Sequence, residues 1–364
     1  MAFVVFVGVT LGCRTIAQRD AVAAMRMNYY DYKAMGREAF PSVFSVFLKE
    51  GKYKGFVEAS FPAFAIPELG RGFVPQGLCY CSKLNAFLLT MYASDRESAS
   101  VLVSVDADTG VRTKTLSLRD TAGFVFKGHA GGVVSGGGDI YVASEAKVYH
   151  LSADTIRSAA DGDSVQFDGY FKSVTAASNI YIEAGVLWVG EYYANSPLIH
   201  LDAAHRDKES GNRAWAAGYK LQASGFMGVK GVKRSGDQPV PAYLLSLPRH
   251  VQGIGQAADG RLLFSCSKAA ALPSELLVYP PLAAILQSEP DYQADVLGTV
   301  RPLWVLGENS AERLTLPPMS EGLALYKDSV CILFESAASI YRPRAELFAD
   351  HVYALNVAAY EQGA

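Results

Sequence analysis

From Gly55 onward the chain is a succession of short apolar runs separated by turn-forming residues. The clearest unit lies near the end, in Leu316–Ser336. A polar residue and a glycine (Glu321-Gly322) open one apolar run, Lys327-Asp328-Ser329 makes a turn, and a second apolar run ends on Glu335. This pattern predicts a tight β-hairpin with polar atoms at one rim. Related stations stand upstream at PQGLCY (Pro75–Tyr80), HAGGVV (His129–Val134) and VQGIGQ (Val251–Gln256); SNIYIE (Ser178–Glu183) is a variant without the glycine. Each leads through a turn into a second run: AFLLTMY, DIYVASE, VLWVGEY, RLLFSCS and VCILFES. Third strands follow in SVLVSVD, KVYHLS, PLIHLD and ELLVYP, and fourth strands in TKTLSL, AYLLSLP and RLTLPP.

Stations recurring about every 61 residues, each with about four strands, are the mark of an all-β, single β-propeller. Five blades are expected; six would require a further blade within residues 203–242. A propeller must close its ring. Phe56–Leu69 precedes the first station as RLTLPP precedes the last, so it is expected to be the outermost strand of the final blade. His351–Val357 would be that blade's third strand.

The N-terminal part reads differently. Residues 1–13 are almost wholly apolar up to Cys13, too short to span a bilayer but suited to a secretory signal. Gly12-Cys13 resembles a bacterial lipoprotein processing site, although Leu11 is one place late and no basic residue precedes the run. Residues 14–52 lack glycine until Gly36 and carry Ile16, Val22, Met25 and Tyr29 on one helical face, which predicts a helical extension. The propeller would then occupy 53–360. The expectation is an exported chain, periplasmic or anchored by lipid at Cys13, with no other membrane contact.

Composition narrows the function. A net charge of −3 without a basic face excludes nucleic-acid binding of the usual kind. Five cysteines are too few and too scattered for a disulfide framework. Cys79 and Cys81 share a strand face, and Cys266 and Cys331 lie in apolar runs, so all four are expected in the core. His150 and His200 occupy matching third-strand positions and are expected to pack alike.

Antiparallel pairing of the first two strands brings the start of one and the end of the next to the same face of the disc. One inner set (Gln76, His129, Ser178, Gln252, Glu321) and one outer set (Tyr92, Glu145, Glu191, Ser267, Glu335) should therefore meet at a mouth. Glycine after the inner residue lets backbone pass close to the axis. Carboxylates gathered there need hydration, a proton or a cation. Lys268, Arg342 or Arg249, or a bound Ca²⁺ or Mg²⁺, would serve.

The polar-Gly stations resemble those of regucalcin/gluconolactonase-type propellers, where Glu-Gly and Asn-Gly hold a divalent metal. Glu321-Gly322 matches directly. Gln76-Gly77 and Gln252-Gly253 match in position, and HAGG lacks the family's Asn-Asp-Gly element. PQG, HAGG, VQG and MSEG also look like segments of uncharacterised bacterial secreted propellers. The leading expectation is a mouth binding a small polar molecule, a glycan, a cation or a protein partner through Gln76, His129, Glu145, Glu191, Gln252, Glu321 and Glu335. The alternative that the resemblance implies is a metal-dependent lactone hydrolase, with Glu321, Gln252 and Gln76 on the metal and Glu335 or Glu191 as base. A non-catalytic scaffold gripping partners through 203–242 is the third.

Overall fold

The structure is a computed structural model describing residues 51–192, 214–345 and 347–363. The chain divides into Met1–Glu58 and Ala59–Ala364. In the first unit the described residues begin a short helix, Lys54–Ala59. Cys13, the expected helical extension up to residue 50 and His200 lie outside the described residues. No helix among the described residues is long and apolar enough to cross a membrane.

The second unit is a five-bladed β-propeller. Its inner strands are Phe73–Cys81, Gly132–Gly136, Asn179–Glu183, Val251–Gln256 and Ser320–Tyr326, each against those of both neighbours. Blade 5 closes the ring as the pattern predicts. Its sheet runs from Ser320–Tyr326 through Ser329–Phe334 and His351–Leu355 to Ser60–Ala65, so its outermost strand comes from before blade 1.

Blade 3 departs from expectation. Its third strand is Ala214–Lys220 rather than PLIHLD, which lies outside the described residues, and its fourth is Tyr243–Leu247. The interval 203–242 therefore supplies a strand of blade 3, not a sixth blade. Two outer additions carried no recognisable signal. Ser164–Gln166, from the blade 2 connection, pairs in parallel with the outer strand of blade 1. The hairpin Tyr292–Val296/Thr299–Val305, from blade 4, pairs in parallel with Tyr243–Leu247. Each is a non-local pairing that ties one blade to the next.

Apolar side chains alternate across each strand and fill the layers between blades. Cys79, Cys81 and Leu88 of blade 1 meet Ile140, Val142 and Tyr149 of blade 2. In blade 3, Leu187 and Val189 face blade 2 while Trp188 faces blade 4, the two-residue period of a strand buried on both sides. All four described cysteines are buried and none is in a disulfide.

Glycine has a specific use at the axis. A Cβ on Gly77 would stand 2.6 Å from Val133 N of blade 2, and one on Gly322 would stand 2.4 Å from Leu78 N of blade 1. Blade 3 uses Asn179 instead, whose Nδ2 donates to Val251 O of blade 4 at 2.9 Å. The inner strands thus interlock backbone to backbone. They leave an axial cavity of about 10 Å³, lined by Gly77, Gly132, Asn179, Gly253 and Gly322 among others, which is room for about one water.

Candidate functional site

Three of the five inner strands carry a β-bulge, between Pro75 and Gly77, between Val251 and Gly253, and between Ser320 and Leu323. The residues displaced are Gln76, Gln252 and Glu321 with Gly322. A bulge re-aims the side chain it displaces, and here all three re-aimed long side chains are polar. Blades 2 and 3 pair without a shift, so His129 and Ser178 are not geometric equivalents of these three.

The bulges converge on two carboxyl groups. Gln76 Nε2 donates to Glu335 Oε2 at 2.8 Å, and Gln252 Nε2 donates to Glu321 Oε1 at 2.8 Å. Glu321 and Glu335 lie within hydrogen-bonding reach of each other. Glu321 is wholly buried and Glu335 is 7% exposed. Apart from Glu335, nothing among the described residues satisfies Glu321 Oε2. Two like charges so placed cannot both persist, so the pair shares a proton. Burial, then the charge of Glu335, lifts Glu321 well above the carboxylate range; burial lifts Glu335 to about 7. Each glutamine amide donates to one carboxyl oxygen, Gln76 to Glu335 Oε2 and Gln252 to Glu321 Oε1.

Three tyrosines surround the pair. Tyr92 and Tyr341 are joined hydroxyl to hydroxyl at 3.1 Å, and Tyr192 donates to Ser267 O at 3.2 Å. Burial raises all three phenols, and the carboxyl pair adds to the rise; Tyr192 is pushed up to about 12. His129 stacks on Tyr92 with ring centroids 4.7 Å apart. Burial, then the Arg96 charge, brings its imidazole down to about 4, so it is neutral at pH 7. Arg96 lies over the Tyr92 ring at 3.8 Å and favours the ionised form of Glu335. Arg96 is thus a cation close to the pair that the sequence pattern did not single out, and the Arg342 guanidinium lies over Phe348.

Two of the four expected acids do not join. Glu145 is an exposed residue of the turn after the second strand of blade 2, with φ 53°. The buried Ser144 before it caps Ala130 N instead. Glu191 is buried, but its Oε2 accepts from Ala176 N at 3.2 Å and its Oε1 has no partner among the described residues. Burial raises it to about 8. Side chains alternate along a strand. With Asn179 opposite Gly190 and Gly77 opposite Thr90, the counterpart of Tyr92 in blade 3 is Tyr192, so Glu191 points the other way. Sequence reasoning missed Tyr192 by that one place. It also missed Arg96 and Tyr341, which stand in connections with no period to read.

The donor set for a metal is two carboxylates and two amides. No group of three His, Cys, Asp or Glu is gathered for a metal among the described residues.

No protein-family model and no curated protein matches the chain. Among solved structures it is similar to the PQQ-bound aldose sugar dehydrogenase of Streptomyces coelicolor (14% identity, 81% of this chain and 95% of that one, TM-score 0.40). It is also similar to the glutaminyl cyclase of Myxococcus xanthus (9% identity, 76% and 89%, TM-score 0.39). A third is a putative glucose dehydrogenase of Thermus thermophilus (11% identity, 81% and 99%, TM-score 0.35). These are likenesses of propeller fold, do not single out the regucalcin/gluconolactonase type, and bring no ligand or reaction to this chain.

Proposed function

We propose that this propeller binds a small polar molecule at the mouth of its axis, with the Glu321–Glu335 pair as the recognising group. The observation behind this is a buried pair of neighbouring carboxyl groups held from both sides by amides on β-bulges. Such a pair is costly to bury and contributes nothing to packing that apolar side chains would not do better. Tyrosines, a neutral imidazole and a guanidinium are grouped with it. The test is a thermal-shift screen of small polar metabolites, sugars and calcium against the full chain and a Glu335→Gln variant. Ligands that raise the melting temperature of the native chain and not of the variant support the mouth as the site. Equal shifts in both, or none at millimolar concentration, count against it.

A second reading draws on Glu335 at about 7, where a group can both accept and return a proton. In that reading the mouth hydrolyses a lactone-like ester, as its resemblance to metal-dependent lactonases suggests. A divalent cation would replace the shared proton and take Glu321, Glu335 and the amide oxygens of Gln76 and Gln252 as ligands. Calcium-dependent turnover lost in Glu321→Gln supports it; turnover in that variant opposes it. Export with lipidation of Cys13 is a separate proposal from the N-terminal sequence, answered by the mass of the native N-terminus.

A further inference from the structure

The mouth holds charge of both signs on separate elements. The negative pole is the carboxyl pair, on the inner and second strands of blade 5. The positive pole is Arg96, on the connection between the second and third strands of blade 1, whose own φ is 60°. Arg96 is exposed, and its recorded contacts are the Tyr92 ring and His129 Nδ1 at 3.4 Å. It forms no salt bridge among the described residues. Stacking fixes the plane of a guanidinium, and the N–H donors not turned to His129 Nδ1 can meet a carboxylate in two-point fashion. At the other pole, Glu321 Oε2 is buried with no partner among the described residues except the shared proton, and Glu335 beside it keeps its slight exposure. A group bringing N–H donors and positive charge would replace that proton.

We propose that the ligand is a small zwitterion of amino-acid type, its carboxylate on Arg96 and its ammonium at the Glu335 edge of the pair. This rests on the mouth being a ligand site and names what it takes. A simple anion would meet Arg96 but also the negative charge of the pair. A simple amine would meet the pair but also the Arg96 charge. Only a molecule carrying both charges is attracted at both ends and repelled at neither. Beside the poles the Tyr341 ring is partly exposed, and its hydroxyl meets that of the buried Tyr92.

The experiment is calorimetric titration of the full chain with individual L-amino acids, alanine among them. Propionate and ethylamine serve as the two halves of alanine, and Arg96→Met as the variant. Arg96 is exposed, so the variant folds; a melting temperature within about 2 °C of the native value verifies this. The expected result is binding of at least one amino acid, binding of each half-molecule weaker by about tenfold or more, and a loss of about tenfold or more in Arg96→Met. Equal binding of a half-molecule, or unchanged affinity in Arg96→Met, overturns the proposal. If amino acids are silent while a sugar or calcium binds in a Glu335-dependent way, the zwitterion is wrong and the mouth stands. If nothing binds, both fall.

Discussion

The interlock of inner strands can be tested by one added methyl group. In Gly322→Ala the new Cβ would lie 2.4 Å from Leu78 N, 3.0 Å from Gly77 C and 3.1 Å from Gln76 O, all backbone atoms of the neighbouring blade. No rotamer relieves these contacts, so the inner strand of blade 1 must move outward. Overpacking a buried site costs about 1–3 kcal/mol, and a clash against backbone belongs at the top of that range. Unfolding entropy scales with size, so a body of roughly 300 residues loses about 1.5 °C per kcal/mol. The expected fall in melting temperature is therefore about 5 °C. Gly136→Ala is the matched control: it lies on an inner strand too, but its Cβ would meet the tip of a flexible side chain, Ile182 Cδ1 at 2.8 Å. That side chain can turn away, and a fall of about 1 °C or less is expected. Scanning calorimetry of the three proteins decides it. If Gly322→Ala melts within 1 °C of the native chain, or the control falls as far, the strands are not in backbone contact around the axis.

Other predictions concern charge and the one blade without the glycine. Glu191 at about 8 and Glu335 at about 7 are raised above their unfolded value of 4.5. The folded state then holds protons that the unfolded state has released, and stability falls as pH rises from about 4.5 towards 8. His129, lowered from 6.5 to about 4, acts the opposite way between those values, so the carboxyl effect is cleanest above pH 6.5. A drop in unfolding free energy between pH 6.5 and 8.5 of about 3 kcal/mol is expected from these two groups, and Glu321, raised as well, adds to it in the same direction. Glu191→Gln should flatten that slope, and an unchanged slope would clear Glu191 of the effect. Asn179→Ala leaves Val251 O without its donor and should cost about 1–2 kcal/mol in denaturant unfolding. Removing the Tyr341 hydroxyl in Tyr341→Phe should leave the melting temperature within about 2 °C and weaken any mouth ligand found in the screen.

Much of this architecture is readable from the chain because a propeller repeats itself. The polar-Gly stations carry both the period and the closure, and Gln76, Gln252, Glu321 and Glu335 come together as the disc geometry requires. What the pattern could not convey is register at the level of one residue. Glu191 and Tyr192 both follow directly on the second strand of blade 3, Val186–Gly190, and alternation sends only one of them to the mouth. Bulges are equally silent in sequence, although they are what turn Gln76 and Gln252 onto the carboxyl pair. In blade 2 the inner strand lacks that bulge, so His129 reaches the mouth only through its stacking on Tyr92. The third strand of blade 3 was misread because PLIHLD and AWAAGYK are both apolar runs of suitable length. The parallel additions to blades 1 and 3 depend on partners distant along the chain, which no local period records.

The proposed site rests on a proton shared by Glu321 and Glu335. Carbon-detected NMR of glutamate side chains, assigned with Glu321→Gln and Glu335→Gln, follows both carboxyl groups through pH. Two linked steps are expected, one near 7 and one higher, with the link lost in either variant. Two independent titrations near the ordinary glutamate value of 4.5 would mean that the carboxyl groups do not meet.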